Sequence, residues 1–402
     1  MIRSEIRTSM SDHLLGFIHT SLTNLHPVVM NHDTGVFTER LNWNGAAMEP
    51  QFRRIRVMAR QTYVFAHAAI GGLDAARPLA AKGARFLLDH CRSDNGQFLC
   101  RVSPEGAVLD ATDDLYDIAF GLFALAWWYR LSGEEEAMDA AAAAVRQLGR
   151  LRTPSGHGYV ARAATEPAPY QQNPHMHLFE AALFLSAFSE RQEFRDLADE
   201  LFSLADQRLF VADLGILPEF FDADWQPDRS KGSIVVEPGH HYEWAWLLSR
   251  YAALSGNDRA YGIASALFNF AHTHGHDPAT GLIFDAVDEQ GRPTGRDFRI
   301  WPNLEYLKAQ IALHERRPDD ARVSDEAMDA TVERILRHFL SPTSEGPART
   351  LPEGLWIDYL DGRSLLPRSD HVPVSTLYHI MFAFTEFLRH RAGHAAYSGQ
   401  PW

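Results

Sequence analysis

The sequence predicts an all-α protein, an (α/α)6 barrel in which six helical hairpins close into a ring and short β-hairpins occupy the connecting loops. Three observations support this prediction: a large apolar fraction, twelve helix-like segments, and six glycine-led segments at regular intervals. The chain has 402 residues, of which 46% are hydrophobic and 22% charged, as in a globular protein with a large core. No stretch rich in Pro, Gly or Ser divides it, so we expect a single domain over residues 1–402.

Twelve segments show the apolar periodicity of helices that pack with one face or more against a core. They are rich in Ala and Leu, which are good helix formers. In chain order they cover residues 12–25, 56–70, 77–90, 115–129, 135–151, 177–188, 194–209, 242–254, 259–273, 304–314, 325–340 and 376–390. Successive segments pair into helical hairpins, and twelve helices make six hairpins.

A glycine followed by apolar or aromatic residues and then by an acidic or turn-forming stretch occurs six times between these helices. The six glycines are Gly35, Gly96, Gly158, Gly215, Gly281 and Gly354, separated by 61, 62, 57, 66 and 73 residues. Repeated helical units bury each other's apolar faces when they stack, and six units can close into a ring. We expect the functional site at one mouth of this ring, where the loops gather. An open superhelix for protein binding is the alternative, which the long and dissimilar loops disfavour.

Charge and cysteine content narrow the classes of function. The 38 Lys and Arg residues against 52 Asp and Glu residues give a net charge of −14, so we expect no nucleic-acid partner. The longest apolar stretch, near residues 118–129, is shorter than the roughly 20 residues that a membrane-spanning helix needs, so we expect no membrane span. Cys91 and Cys100 are the only cysteines and the start resembles no secretory leader, which predicts a reduced, cytoplasmic protein.

Polar clusters open the first helix of the later hairpins, and histidines occupy the same place in three of them. These histidines are His177, His240 and His379. Polar side chains on inner helices need buried partners or a polar cavity, so the pattern predicts a cavity lined by several repeats. Glu180 and Glu243 each follow a histidine by three residues, which places each pair on one helix face and predicts that the glutamate orients the imidazole or raises its basicity.

Other kinds of site receive less support from the sequence. His175 and His241 add ligand atoms beside their neighbours, but no HExxH or paired CxxC is present, so we expect no metal. No nucleophile elbow or phosphate-binding loop is present either. An inverting glycosidase remains an alternative, because such enzymes use a pair of carboxyl groups as acid and base. The candidates are Asp113, Asp114, Asp117, Glu180, Glu243, Glu305 and Asp358, of which Asp113 and Asp114 are placed like helix caps.

Aromatic side chains among these clusters fit a sugar site, because pyranose C–H faces pack on aromatic rings. Trp301 stands just before a helix-like segment, and we expect it in the site. Trp244 and Trp246 lie at helical spacing within an apolar segment, and we expect them in the core.

Seven pieces of the sequence, in this order, resemble the N-acylglucosamine 2-epimerase superfamily, and within it the mannose isomerase group. They are GVFTERL, RVMARQTYVFA, DDLYDIAF, NPHMHLFEAAL, PGHHYEWAWLL, RIWPNLEYLKA and STLYHI, and together they span nearly the whole chain. The resemblance implies the (α/α)6 barrel and a proton transfer, without a cofactor, next to the carbonyl of an open-chain aldose. The expected ligand is therefore a small monosaccharide, and the oligomeric state is left open.

The resemblance also implies which residues act. The two catalytic histidines of the family fall on His240 and His379, with His371 as a second candidate for the latter. The sugar-binding positions fall on Arg60, Tyr116, Asn173, His177, Glu243, Trp301 and Glu305. The sequence departs from the family at residues 303–304, where Asn-Leu replaces the usual Gln-Thr.

With these residues the expected reaction is interconversion of D-mannose and D-fructose, with D-lyxose and D-xylulose as a further pair. His379 would move the C2 proton to C1 through a cis-enediol, His240, oriented by Glu243, would carry the hydroxyl proton, and Arg60 would stabilise the enediolate. A sugar 2-epimerase of the mannose/glucose or N-acylglucosamine type, with both histidines as bases, remains open. A charged sugar also remains open because of six arginines: Arg53, Arg54, Arg56, Arg60, Arg296 and Arg299.

Overall fold

The computed structural model describes residues 2–48, 50–163, 169–230, 232–340 and 351–392, and within them it contains the twelve helices that the sequence predicts. In chain order they are α1 (Ile2–Leu25), α2 (Ile55–Ile70), α3 (Arg77–His90), α4 (Leu115–Ser132), α5 (Glu135–Gln147), α6 (Gln172–Phe188), α7 (Gln192–Leu204), α8 (Pro238–Ser255), α9 (Asp258–His274), α10 (Ile300–His314), α11 (Asp325–Phe339) and α12 (Leu377–Ala392).

The even-numbered helices form a closed inner ring. Each packs against the next, from α2 through α4, α6, α8 and α10 to α12, and α12 returns to α2. Helices α3, α5, α7, α9 and α11 pack outside the inner helix that precedes them, and α1 packs outside α12. This arrangement is the predicted (α/α)6 barrel.

Inner and outer helices differ in sequence because they differ in burial. In α4, the run from Leu115 to Trp128 is buried except at Tyr116, so nearly every face meets protein. Outer helix α7 buries Phe194, Leu197, Leu201 and their neighbours at intervals of three and four residues, which is one helical face. Helices α4 and α8 end at Gly133 and Gly256, whose left-handed backbone conformations (φ 73° and 72°) favour glycine.

Fourteen short strands occupy the loops of the described chain. They are β1 (Met30–Asn31), β2 (Val36–Phe37), β3 (Arg40–Leu41), β4 (Ala47–Met48), β5 (Arg53–Arg54), β6 (Arg101–Val102), β7 (Val108–Asp110), β8 (Tyr170–Gln171), β9 (Phe220–Phe221), β10 (Ala286–Val287), β11 (Pro293–Gly295), β12 (Phe298–Arg299), β13 (Tyr359–Leu360) and β14 (Val372–Pro373). All the strand pairs are antiparallel.

These strands link neighbouring loops into a second ring at the N-terminal ends of the inner helices. The segment that leads into each inner helix pairs with the loop before the next one: β5 with β6, β8 with β9, and β12 with β13. Single bridges between Asp114 and Arg162 and between Val236 and Val287 supply two more links. Strand β14 pairs with β3 from the first loop and closes the ring. The loops that line the mouth are thereby fixed to one another.

Three inner helices begin earlier than the sequence pattern predicts. Helices α6, α8 and α10 begin at residues 172, 238 and 300, whereas the apolar periodicity begins at 177, 242 and 304. Their first turns are polar and contain Pro174, Pro238 and Pro302, which a first turn accepts because its N–H groups have no partner within the helix. Among the described helices, none has both the length and the apolar character needed to cross a membrane.

Candidate active site

A cavity of about 330 Å³ opens at the mouth where the inner helices begin. Every inner helix contributes to its wall. The lining residues are Arg54, Arg60, Tyr116, Asn173, His177, Glu237, His240, Glu243, Arg299, Trp301, Asp358, Pro373, Ser375, Thr376 and His379. Eight of the nine residues singled out by the sequence therefore lie together, and the ninth, Glu305, lies behind His379 instead of on the cavity wall.

His240, at the third position of α8, is held by carboxylates from outside its own helix. Its Nδ1 lies 2.9 Å from Oε1 of Glu219, in the loop just before β9, and 3.6 Å from Oε2 of Glu237. Burial alone would lower the pKa of His240, but these carboxylates outweigh burial and raise it to about 9. His240 is therefore an imidazolium at neutral pH. The prediction that Glu243 orients His240 is wrong, because Glu219 accepts from its Nδ1, but the charge of Glu243 does act to raise the pKa of His240.

His379, at the third position of α12, also has a glutamate partner, but it is uncharged at neutral pH whereas His240 is protonated. Its Nδ1 lies 2.8 Å from Oε1 of Glu305, which is fully buried. Burial lowers the pKa of His379 to about 4, because Arg60 and Lys308 oppose the effect of Glu305. His379 is therefore uncharged even at pH values well below neutrality. Since ionised Glu305 can only accept a hydrogen bond, the hydrogen of His379 lies on Nδ1 and leaves Nε2 unprotonated.

Trp301 packs against both histidines. Its ring centroid lies 4.9 Å from that of His240 and 5.7 Å from that of His379. The close approach depends on Gly239, because a Cβ at that position would lie 2.6 Å from the Trp301 ring. Trp301 thus helps to position both imidazoles and itself lines the cavity.

His177 occupies the equivalent wall of α6 and is uncharged. Its Nδ1 lies 3.3 Å from Oε2 of Glu180, as the sequence spacing predicts, and 3.7 Å from Oε1 of Glu243. Burial and the positive charge of Arg60 lower the pKa of His177. The Tyr378 hydroxyl donates a hydrogen bond to Glu180 at 2.6 Å. Burial raises the pKa of Glu180 to about 7 and raises that of Glu243 well above its usual range.

The cavity arginines differ in how far their charge is already neutralised. Arg54 makes two side-chain hydrogen bonds to Glu39, at 2.9 and 2.7 Å. Arg299 donates to Asp285 at 2.7 Å and to Glu237 at 3.1 Å. Among the described residues, Arg60 forms no ion pair; it donates to the Tyr116 hydroxyl at 2.8 Å and lies over Phe120 at 4.0 Å. Arg60 therefore carries the charge most available to a ligand.

Several residues considered as candidates from the sequence lie outside the cavity. His371 contacts Asp370 at 2.8 Å on the rim, so His379 and not His371 faces the cavity. Asn303 donates to the Arg299 carbonyl within its own helix, and Trp244 and Trp246 are fully buried in the core as predicted.

The carboxylates proposed as caps have separate roles. Asp114 caps α4 by accepting from the backbone of Tyr116 and Asp117, as predicted. Asp113 instead pairs with Arg150 at 3.2 Å.

The second histidine of each His-rich cluster has a structural role. His175 accepts a hydrogen bond from the backbone N–H of Tyr159 at 2.9 Å, and His241 accepts one from Leu217 at 3.0 Å. Each histidine thereby ties its inner helix to the glycine-led loop of its own repeat. Burial lowers the pKa of both to about 4, which keeps them uncharged.

Repeat register points to one further cavity residue, Glu237, which shares its place in the repeat with two of the arginines named from the sequence. Arg54, Glu237 and Arg299 are the residues immediately before α2, α8 and α10, which is one shared position of the repeat. Glu219 and Lys308 give no such signal, because one lies in a loop and the other resembles a surface lysine in the sequence.

Metal-ligating groups occur in the cavity walls, and in two of them the histidine already has a carboxylate partner. Three groups have donor atoms within 4.8 Å of one another: His177, Glu180 and Glu243; Glu219, Glu237 and His240; and Glu243, Glu305 and His379. In the last two groups, the histidine Nδ1 already donates to a carboxylate. The expectation of a site without metal stays a prediction.

The fold and these side chains define an (α/α)6-barrel enzyme with an acid–base cavity at one mouth of the ring. The profile of the N-acylglucosamine 2-epimerase (GlcNAc 2-epimerase) family matches residues 35–383. The chain is 33% identical over 359 residues to the mannose-6-phosphate isomerase of Rhizobium meliloti (strain 1021), covering 88% of this chain and 89% of that protein. It is 28% identical over 357 residues to the D-mannose isomerase of Thermobifida fusca, covering 79% of this chain and 83% of that one.

A solved structure agrees with the fold. The crystal structure of a D-mannose isomerase superposes with a TM-score of 0.83 at 22% identity, covering 94% of this chain and 97% of the other. The chain belongs to the N-acylglucosamine 2-epimerase family. It is an isomerase acting on sugars, in the broad sense that includes epimerases.

Proposed function

We propose that the protein is a cofactor-independent aldose–ketose isomerase that interconverts D-mannose and D-fructose. The observation that carries the proposal is that carboxylates hold two histidines of one cavity in different protonation states: His379 is a neutral base and His240 is a protonated acid at neutral pH. Two titratable groups whose pKa values are pushed apart by their surroundings are typical of an acid–base pair. The names of the two relatives support a mannose-type hexose as substrate.

In the first half of the reaction, Nε2 of His379 removes the proton from C2 of the open-chain aldose. Electrons move from the C2–H bond towards C1 and O1, and His240 donates its proton to O1. The result is a cis-enediol, with His379 protonated and His240 neutral. Arg60 stabilises the negative charge that develops on the oxygen before its protonation is complete.

In the second half, the same groups act in reverse on the neighbouring carbon. His379 returns its proton to C1, and His240 removes the proton from the hydroxyl at C2, which becomes the ketone. The net change moves one hydrogen from C2 to C1 and one from O2 to O1. Both histidines recover their starting states, so no other reactant is needed.

The size of the cavity favours a monosaccharide over a polymer. Its volume of about 330 Å³ lies near the lower end of the roughly 300–1,000 Å³ found for small-molecule sites. Trp301 offers a flat apolar surface for the sugar, and Asn173 has a buried Oδ1 without a hydrogen-bond partner among the described residues. An inverting glycosidase needs two carboxylates that face the substrate. Of the described carboxylates on the cavity wall, Glu237 is engaged with Arg299 and Asp358 with Thr376, which leaves Glu243 without a second one.

A neutral sugar is favoured over a phosphorylated one, although one relative is named for a phosphorylated substrate. A phosphate group needs uncompensated cations, and Arg54 and Arg299 already pair with carboxylates. Arg60 lies beside the reacting histidines, where the enediolate oxygen requires it. We therefore expect mannose to have a higher kcat/KM than mannose 6-phosphate, measured with the same enzyme preparation.

A sugar 2-epimerase is the second candidate, supported by the family profile that matches the chain. Epimerisation needs a base on one face of C2 and an acid on the other. A neutral His379 and a protonated His240 also satisfy that requirement. The two reactions differ in where the hydrogen returns, which isotope labelling reveals.

Proton NMR of D-mannose with the enzyme in D2O and a chelator tests the proposal. Fructose that retains the original hydrogen at C1 supports transfer by one base. Glucose with deuterium at C2, as the first product, would replace the isomerase with a two-base epimerase. Absence of product and exchange with mannose, glucose and lyxose would overturn both.

Variants of two histidines test the assigned base. We expect His379→Asn to lower kcat by about 100- to 10,000-fold, as expected for loss of a general base. The matched control is His371→Asn, which removes a rim histidine outside the cavity and should leave kcat unchanged. Turnover retained in folded His379→Asn would contradict the assignment.

A further inference from the structure

A lysine lies directly behind the His379–Glu305 pair. Lys308, on α10, is fully buried, and its Nζ lies 2.8 Å from Oε2 of Glu305. The same nitrogen lies 4.3 Å from the ring centroid of Trp246 and 4.4 Å from that of Phe382. A buried ammonium is costly unless it is paired, and the carboxylate and the two aromatic faces offset that cost. Lys308 is one of only three lysines in the chain, against 35 arginines.

We propose that Lys308 is a positioning residue for the reaction, which keeps Glu305 ionised so that Glu305 fixes the hydrogen of His379 on Nδ1. Each oxygen of Glu305 has its own partner: Oε2 faces Lys308, and Oε1 accepts the Nδ1 hydrogen of His379. Nε2 of His379 is then the unprotonated nitrogen that faces the substrate. The inference rests on the proposed function and assigns a role within that same site.

A comparison of the two histidine–glutamate pairs supports this role. Behind Glu219, the partner of His240, stands the neutral amide of Gln172, whose Nε2 donates at 2.9 Å. Behind Glu305 stands an ammonium. The two histidines have the same type of carboxylate partner at 2.9 and 2.8 Å, yet one is charged and the other is neutral. The group behind the glutamate is one difference between them, beside Glu237, which lies 3.6 Å from His240, and Arg60, which lowers the pKa of His379. A positive charge behind the glutamate disfavours a second positive charge on the imidazole.

Several ionisable groups from four other inner helices surround the Lys308–Glu305 pair of α10. They are Arg60 and Tyr63 on α2, His177 and Glu180 on α6, Glu243 on α8, and Tyr378 and His379 on α12. Together with Glu305, this setting holds three buried carboxylates. If the lysine charge were removed, these carboxylates would take up a proton more readily, and the His379–Glu305 pair would do so at higher pH.

A protonated pair is unproductive in either microstate. If the extra proton lies on His379, Nε2 has no lone pair for the C2 hydrogen. If it lies on Glu305, the glutamic acid no longer requires the hydrogen of His379 to lie on Nδ1. Removal of the lysine charge should therefore extend the inactive range of the enzyme from low pH towards neutrality.

Lys308→Met tests this, because methionine keeps an unbranched apolar chain and removes the charge. We expect kcat to fall by roughly tenfold or more, less than the roughly 100- to 10,000-fold supplied by the base itself. We also expect the acid limb of the kcat/KM profile to rise by at least about one pH unit. Lys308→Arg is the matched control: it keeps the charge and should keep the acid limb near its original position, whatever its effect on kcat.

NMR of 15N-labelled histidine measures the same property without turnover. The signals of His379 are identified by their loss in His379→Asn. In the unmodified protein we expect the Nδ1–H tautomer at neutral pH, and in Lys308→Met we expect the titration of the pair to move to higher pH.

Two results would overturn the inference. One is a folded Lys308→Met protein with an unchanged acid limb and unchanged His379 titration. The other is the Nε2–H tautomer in the unmodified protein, a measurement that does not require the variant to fold. Failure to convert any aldose would instead count against the proposed function, since the tautomer is observed without substrate.

Discussion

Glu219 accepts the Nδ1 hydrogen of His240 at 2.9 Å, although 21 residues separate the two in the chain. Gln172, at the start of α6, donates to the other oxygen of Glu219 at 2.9 Å and fixes its orientation. The carboxylate thus joins the loop before α8 to the first turns of two inner helices. Its charge makes His240 an acid at neutral pH, in the same cavity as a neutral His379.

Replacement of Glu219 by glutamine should change the charge of His240. Burial lowers the pKa of His240, and the variant lacks the main carboxylate that counteracts burial. The pKa of His240 should therefore fall from about 9 towards or below its ordinary value of 6.5. The protonated form of His240 would be lost at lower pH, and the alkaline limb of kcat/KM should move down by at least about one pH unit. The measurement is the kcat/KM profile of Glu219→Gln.

The control for Glu219→Gln is Glu136→Gln, which removes an exposed carboxylate paired with Arg85 on the outer surface. It makes the same change in net charge but should leave the profile in place. An alkaline limb that stays near pH 9 in Glu219→Gln would show that another group controls it.

The unmodified enzyme should show a broad pH optimum. Activity requires a neutral His379 and a protonated His240, whose pKa values are about 4 and about 9. We expect kcat/KM to be nearly constant between about pH 5 and pH 8 and to fall on both sides. Initial rates with mannose across this range, with stability checked at each pH, provide the test. A single narrow optimum near pH 6.5 would mean that both histidines titrate close to their ordinary values.

Apolar periodicity was enough to predict the ring, because inner helices are apolar on nearly all faces and outer helices on one. Glycine spacing marked the six repeats because each of the six glycines has a positive φ, a backbone conformation that favours glycine. Helix starts were less predictable at α6, α8 and α10, where polar residues and a proline in the first turn interrupt the apolar pattern. The polar residues of those first turns line or support the cavity, so the helix starts that the pattern misplaces lie at the site.

The site residues that could be predicted are those at equivalent positions of successive repeats. His177, His240 and His379 share a register position and meet in one cavity. The partners of the histidines were predictable only within one helix, as for His177 and Glu180. Glu219 comes from a loop whose path depends on the pairing of β8 with β9, and no local pattern reveals it. Glu243 was assigned to His240 by spacing alone, but the helix direction brings it closer to His177.

Gly239→Ala should impair substrate binding more than stability. A Cβ at this position would lie 2.6 Å from the Trp301 ring and 2.8 Å from Pro302, so the indole must move away from the two histidines. We expect KM for mannose to rise and kcat to fall, while the melting temperature changes by only a few degrees. Steady-state kinetics and thermal unfolding measure the two effects separately.

Gly262→Ala supplies the matched control, because Gly262 is an exposed helical glycine of α9 with nothing within 4 Å of the added Cβ. It should leave KM and kcat unchanged and stabilise the protein by about 0.5–1 kcal/mol. Unaltered kinetics in Gly239→Ala would show that the position of Trp301 is not critical.

Arg250→Met should destabilise the ring without changing its chemistry. Arg250 on α8 and Glu386 on α12 are both almost completely buried and lie 2.7 Å apart, near the helix ends remote from the cavity. Removal of one partner of a buried ion pair costs about 3 kcal/mol or more, because the other charge loses its main partner. Urea unfolding should therefore show a lower free energy of unfolding, with kcat unchanged in the folded protein.

Arg85→Met, which breaks an exposed pair with Glu136, is the matched control and should change the free energy of unfolding by less than about 1 kcal/mol. Equal losses in the two variants would show that burial does not set the strength of the inner pair.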